Sequence, residues 1–166
     1  MDKNILIALY DYTYWASGRT LDAARRAGDK AFVTPRPELY YGSLRGTLVH
    51  ILSAEWIWRT RCQEGLSPTT LLDSQAFPTV DDLAARWKQE EIAMRAYLAS
   101  LSEADLQRTI YYKSTKGQPF QNTLWHLLFH VVNHGTQHRS EAAMTLTDLG
   151  QSPGDLDMIV YFRELS

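Results

Sequence analysis

Four of the five histidines in this 166-residue chain fall in one segment at a constant spacing of four: His126, His130, His134 and His138. The fifth, His50, stands alone far up the chain. Residues four apart in a helix differ by only about 40° in direction and lie roughly 6 Å apart along the axis. Two neighbours of this ladder can therefore aim imidazoles at one ion, as in the HExxH zinc site. All four fan through about 120° and cannot converge, so at most two serve one metal. A third ligand must come from another helix, and His50 is the histidine that remains. Three protein ligands leave coordination positions open for water or substrate, the arrangement of a catalytic metal rather than a closed structural one.

Two pairs compete for the site. His134 and His138 are favoured by their setting, because Gly135 leaves room beside the first of them. That glycine costs about 1 kcal/mol in helix propensity, which points to a packing or site reason for it. His130 sits in the apolar run Leu127–Val132 and reads as a buried histidine satisfied by a hydrogen bond, or as a partner behind a metal ligand. His126, next to Trp125, reads as surface or core edge. Spacing alone leaves an incidental histidine pair as the alternative.

These histidines need rigid elements to hold them, and helical periodicity dominates the chain. A first helix is expected from about Asn4 to Arg26, with Ile5, Ala8, Tyr12 and Trp15 on one stripe and Gly28 closing it. A loop with Pro35 and Pro37 follows. A second helix starts near Ser43, a good N-cap, carries His50 and ends at Gly65. A third starts after Pro78, where Thr79 and Asp82 resemble a capping box, and runs to about Leu101. Thr109–Tyr112 is β-prone, Lys116-Gly117 suggests a turn, and Pro119 forbids a helix interior, so a short hairpin or extended loop is expected there. The fourth helix begins near Asn122 or Thr123, carries the ladder and ends at Gly150. Met158, Ile159, Tyr161 and Phe162 should pack back on the rest. Four amphipathic helices without a convincing sheet predict an all-α four-helix bundle, one domain over residues 1–166.

Composition narrows the function. Net charge is −2 and the densest basic cluster is Arg25-Arg26, so nucleic acid is not an expected partner. Cys62 is the only cysteine, which excludes an intrachain disulfide and a cysteine-rich zinc module. Its place near a helix end should raise its pKa and make it structural or incidental. No apolar run is long enough to span a bilayer, and the first residues lack a signal-peptide pattern, so a cytoplasmic protein is expected. Glu55 and Arg59, further along the helix of His50, read as ordinary solvated residues or weak site candidates.

The segment Leu124-Trp125-His126-Leu127-Leu128-Phe129-His130-Val131-Val132-Asn133-His134-Gly135-Thr136-Gln137-His138-Arg139 resembles the last-helix motif of the DinB/YfiT-like family. Gly42–Leu52, with His50, resembles that family's second helix, and Tyr12-Thr13-Tyr14-Trp15-Ala16-Ser17 its first. The resemblance implies a bundle of up-down-down-up order and a metal such as zinc or nickel on His50, His134 and His138. It also implies frequent homodimerisation and, among relatives, S-transferases and a maleylpyruvate isomerase that use low-molecular-weight thiols. It places Tyr12 and Trp15 beside the metal cavity, core packing being the alternative. Where the family commonly has Gly-Gln after the last ligand, this chain has Ser140-Glu141, and Thr13 and Ser17 replace first-helix asparagines.

Glu141 stands three residues after His138 and shares the ligand face. It can accept a hydrogen bond from a ligand imidazole, reach a metal-bound water as a base, or pair at the surface with an arginine. The expected function is a metal-dependent transferase acting on a small-molecule substrate with a low-molecular-weight thiol as cosubstrate. The alternatives are a metal-dependent hydrolase, with Glu141 as base, and a non-catalytic metal-binding or ligand-sensing bundle.

Overall fold

The computed structural model describes residues 2–166, and these are mostly helical with one small two-stranded sheet. Helix α1 spans Lys3–Ala27, started by the Asp2 carboxylate accepting from the Asn4 amide at 2.6 Å and stopped by Gly28 at φ 84°. A five-residue helix, α2 (Asp29–Val33), follows at once and buries Phe32. It lies in the stretch expected as a loop, since so short a helix shows no period in the sequence. Helix α3 (Leu44–Arg59) is capped by Ser43, whose Oγ accepts from the Gly46 amide at 2.9 Å. It runs on into a π-helical turn, Thr60–Glu64, and ends at left-handed Gly65, as expected.

Helix α4 (Val80–Ser100) opens with the expected capping box of Thr79 and Asp82. Of the two forms expected before the last helix, the hairpin is the one found. Strands β1 (Thr109–Lys113) and β2 (Pro119–Thr123) pair antiparallel, with Thr109 opposite Thr123 and Lys113 opposite Pro119. Helix α5 (Leu124–Asp148) starts two residues after the earliest expected point because Asn122 and Thr123 complete β2. Helix α6 (Met158–Glu164) returns to α1, with Tyr161 buried against Tyr12. Ile159 and Phe162, expected to pack beside it, are exposed.

The four long helices pack as α1 on α5, α5 on α3, α3 on α4 and α4 on α1. Lys3 Nζ reaches the carbonyls of Ala99 and Leu101 while Arg25 pairs with Asp81, so α1 and α4 run antiparallel. Trp87 bonds to Glu55 and Glu90 to Arg59, so α3 and α4 run parallel, which the long stretch from Gly65 to Thr79 permits. Trp58 meets His130 and His50 meets His138, so α3 and α5 are antiparallel. The apolar interior holds two large clusters, one around Tyr10, Met94 and Leu128 and the other around Leu48, Leu83 and Leu146, with a small third one where Tyr161 meets Tyr12 and Ala16. Among the described residues, no helix is long and apolar enough to cross a membrane.

Candidate metal centre

Antiparallel packing of α3 on α5 sets His50 opposite the turn between His134 and His138. The Nε2 atoms of His50 and His134 lie 3.0 Å apart, and one ring nitrogen from each of the three histidines falls within 4.8 Å of the others. Two imidazoles bound to one tetrahedral ion at 2.0–2.1 Å place their nitrogens about 3.3 Å apart. The spacing found needs only small side-chain rotations to reach that figure, so the three histidines could hold a metal ion.

The other two histidines stay apart, as the fan of the ladder requires. His126 is exposed beside Trp125. His130 is also exposed, its ring edge-on to Trp58 at 5.4 Å. Leu127, Leu128, Val131 and Val132 point inward while it points out, which corrects the expectation of a buried histidine.

The electrostatics suit cation binding. Burial, with the neighbouring His138 ring, lowers His50 to about 4. Burial together with His138, His50 and His130 lowers His134 to about 3. Both rings are therefore neutral near pH 7 and keep a lone pair for a ligand. Their Nδ1 atoms are buried without a hydrogen-bond partner. His138 differs: its Nδ1–H donates to Glu141 Oε2 at 2.9 Å. That bond fixes the tautomer and turns the other ring nitrogen toward the shared point, as carboxylates behind metal-bound histidines do. Of the roles expected for Glu141, the geometry shows the hydrogen bond to a candidate ligand ring.

Tyr41 joins the site from outside the helical periodicity. Its hydroxyl lies 2.7 Å from His50 Nε2, and its ring stacks on the His50 ring at 3.9 Å between centroids. Burial raises its pKa, with Tyr40 and Glu141 adding to the effect. The available signal was Gly46. A Cβ there would lie 2.0 Å from the Tyr41 carbonyl oxygen, so only glycine lets the loop close onto α3 at that point.

Gly135 also has a packing reason, though not the expected one. A Cβ there would meet Arg139 Nη1 at 2.9 Å, so the room serves that buried guanidinium rather than His134. Arg139 Nη2 donates to Thr136 Oγ1 at 2.9 Å. Nor is Glu55 solvated: it is 2% exposed and accepts from the Tyr14 hydroxyl and from Trp87 Nε1. Burial pushes its carboxyl up to about 7 despite those donors. Arg59 pairs with buried Glu90. Tyr12 and Trp15 pack against Tyr161, the core alternative. Cys62 is buried, which pushes its thiol up to about 12. The direction expected from the helix end is right, but burial is the cause.

A cavity of about 330 Å³ opens beside the histidines, bounded by His50 and His134 and walled by Ile57, Trp58, Tyr112 and Phe120. Fold and site together define a helical protein with an imidazole cluster fit for a divalent cation and space next to it for a small molecule. The chain belongs to the DinB family, whose family model matches residues 1–164. No curated protein matches it.

Proposed function

We propose that this DinB-family chain is a single-domain four-helix bundle of up-down-down-up order that binds one divalent metal ion, zinc or nickel, through His50, His134 and His138. In this reading it is a transferase that uses a low-molecular-weight thiol. The observation that carries it is the meeting of three neutral imidazoles from two helices at the edge of a cavity. A bound cation of this kind supplies Lewis acidity and favours the thiolate, the nucleophilic form of a thiol.

The remaining work falls to the chain itself. His50 and His134 offer lone pairs because burial keeps them unprotonated. Glu141 is a positioning residue that holds the His138 ring in one tautomer. The Tyr41 hydroxyl stands beside His50, where it can give a proton to, or take one from, a group entering the site. Trp58, Tyr112 and Phe120 give the cavity an apolar wall for the small-molecule substrate that accepts the thiol.

The test is the visible spectrum of the cobalt-substituted protein titrated with cysteine or bacillithiol. The expected result is a new sulfur-to-cobalt absorption that saturates with thiol. A spectrum that neither thiol alters would overturn the thiol reading and leave hydrolysis or simple metal binding.

A further inference from the structure

The wall of the cavity holds a cation with no partner. Arg61 lines the same space as His50 and His134, yet it is only 5% exposed. Its Nε is buried without a hydrogen-bond partner, and among the described residues its guanidinium forms no ion pair. Arg59 is paired with Glu90, Arg95 with Asp11 and Glu91, and Arg108 with the Cys62 carbonyl; Arg45 Nε and Arg139 Nη1 also lack partners, but neither residue lines this cavity. Arg61 has only aromatic faces, with its guanidinium carbon 4.5 Å from the Trp58 ring centroid and 5.3 Å from that of Tyr112.

A buried, unpaired cation is unfavourable, and a guanidinium does not escape by losing its proton. Stacking on aromatic rings returns only part of that penalty. The backbone holds the residue there nonetheless. Arg61 is the second residue of the π-helical turn Thr60–Glu64, a wider winding that often accompanies functional sites. The hairpin covers the other side, with Tyr112 and Phe120 stacked at 5.9 Å. Ser114 and Thr115 add hydroxyl donors to the lining.

We propose that Arg61 is the anchor for a carboxylate on the small-molecule substrate. The substrate class is a small organic acid with an aromatic or branched apolar body. Its carboxylate meets the planar guanidinium fork, which matches carboxylate geometry with two parallel hydrogen bonds. Its apolar body lies among Trp58, Tyr112, Phe120, Ile57 and Leu71. Its reacting end points to His50 and His134, and for that last placement alone the inference rests on the metal-centre reading. A volume of about 330 Å³ is at the small end of ligand pockets, which limits the body to a single ring or one small fused pair.

The test compares phenylacetate, 3-phenylpropionate and indole-3-acetate with their neutral amides, following the Trp58 indole N–H signal by NMR. It uses the full chain both metal-loaded and metal-free, because a bound metal could itself attract a carboxylate. At least one acid should bind the metal-free chain saturably, about 10- to 100-fold more tightly than its amide, the range expected for charge-assisted hydrogen bonds. Arg61→Gln should abolish that preference, Arg61→Lys should keep part of it, and His134→Ala should leave it in place while removing metal. The proposal is overturned if no acid binds, if acid and amide bind alike, or if the preference survives in Arg61→Gln. A preference that vanishes in His134→Ala but persists in Arg61→Gln would assign anion binding to the metal and contradict the proposal while sparing the metal centre.

Discussion

At the scale of single residues, the candidate site divides into what helical spacing reveals and what it hides. His134, His138 and Glu141 could be placed on one face from spacing alone, and His50 followed as the only histidine left for a second helix. Tyr41 could not, because it reaches His50 from an irregular loop whose path depends on tertiary packing. Arg61 was invisible for a similar reason: a π-helical turn changes its direction relative to the α-helical register of His50. Glu141 offers a direct test at this scale. Glu141→Gln keeps the shape but weakens the acceptor for His138 Nδ1–H. Metal affinity should fall about 10- to 100-fold, the usual effect of removing a partner behind a ligand, as read by competition with a colorimetric chelator. Unchanged affinity would mean that Glu141 is an ordinary surface carboxylate.

At the scale of elements, the four long helices were legible because each carries enough turns to show its period and most are closed by recognisable caps. Helix α2 was not, and the hairpin was only one of two options, since five-residue strands such as β2, exposed along nearly its whole length, show no clear alternation. Glu55 was misjudged because an acidic residue within a helical run reads as solvent-facing. Here Tyr14 on α1 and Trp87 on α4 both donate to it, so one carboxylate ties three helices together. The joint between the Tyr41 loop and α3 has its own consequence. Gly46→Ala gains up to about 1 kcal/mol in helix propensity, yet it forces a methyl group into the Tyr41 carbonyl. Overpacking of this kind typically costs about 1–3 kcal/mol, and here the obstacle is backbone. The variant should therefore melt at a lower temperature and lose the contact between Tyr41 and His50. A melting temperature at or above that of the unaltered protein would show that the loop can move aside freely.

At the scale of the whole molecule, a buried carboxyl group couples stability to pH. Burial raises Glu55 from 4.5 to about 7, outweighing the Tyr14 and Trp87 hydrogen bonds that favour its charged form. Between those values the folded chain keeps a proton that the unfolded chain has released. Stability from this group is thus fully present below about pH 4.5 and is lost as pH rises through about 7. In the metal-free protein His50 and His134, held at about 4 and about 3, act in the opposite sense, so Glu55→Gln should make the urea midpoint rise more steeply with pH over that window than it does in the unaltered protein. An identical slope in both proteins would place the proton elsewhere.

The same packing of α3 on α5 that organises the fold also creates the imidazole cluster, so the proposed site depends on one property: a single ion shared by two helices. Elemental analysis after zinc loading and dialysis, on the unaltered protein and on His50→Ala, His134→Ala and His138→Ala, measures it most directly. The expected result is one zinc per chain in the first and little in any of the three variants, with helical circular dichroism retained. Full zinc content in His50→Ala would contradict the account, because the ion would then need nothing from α3.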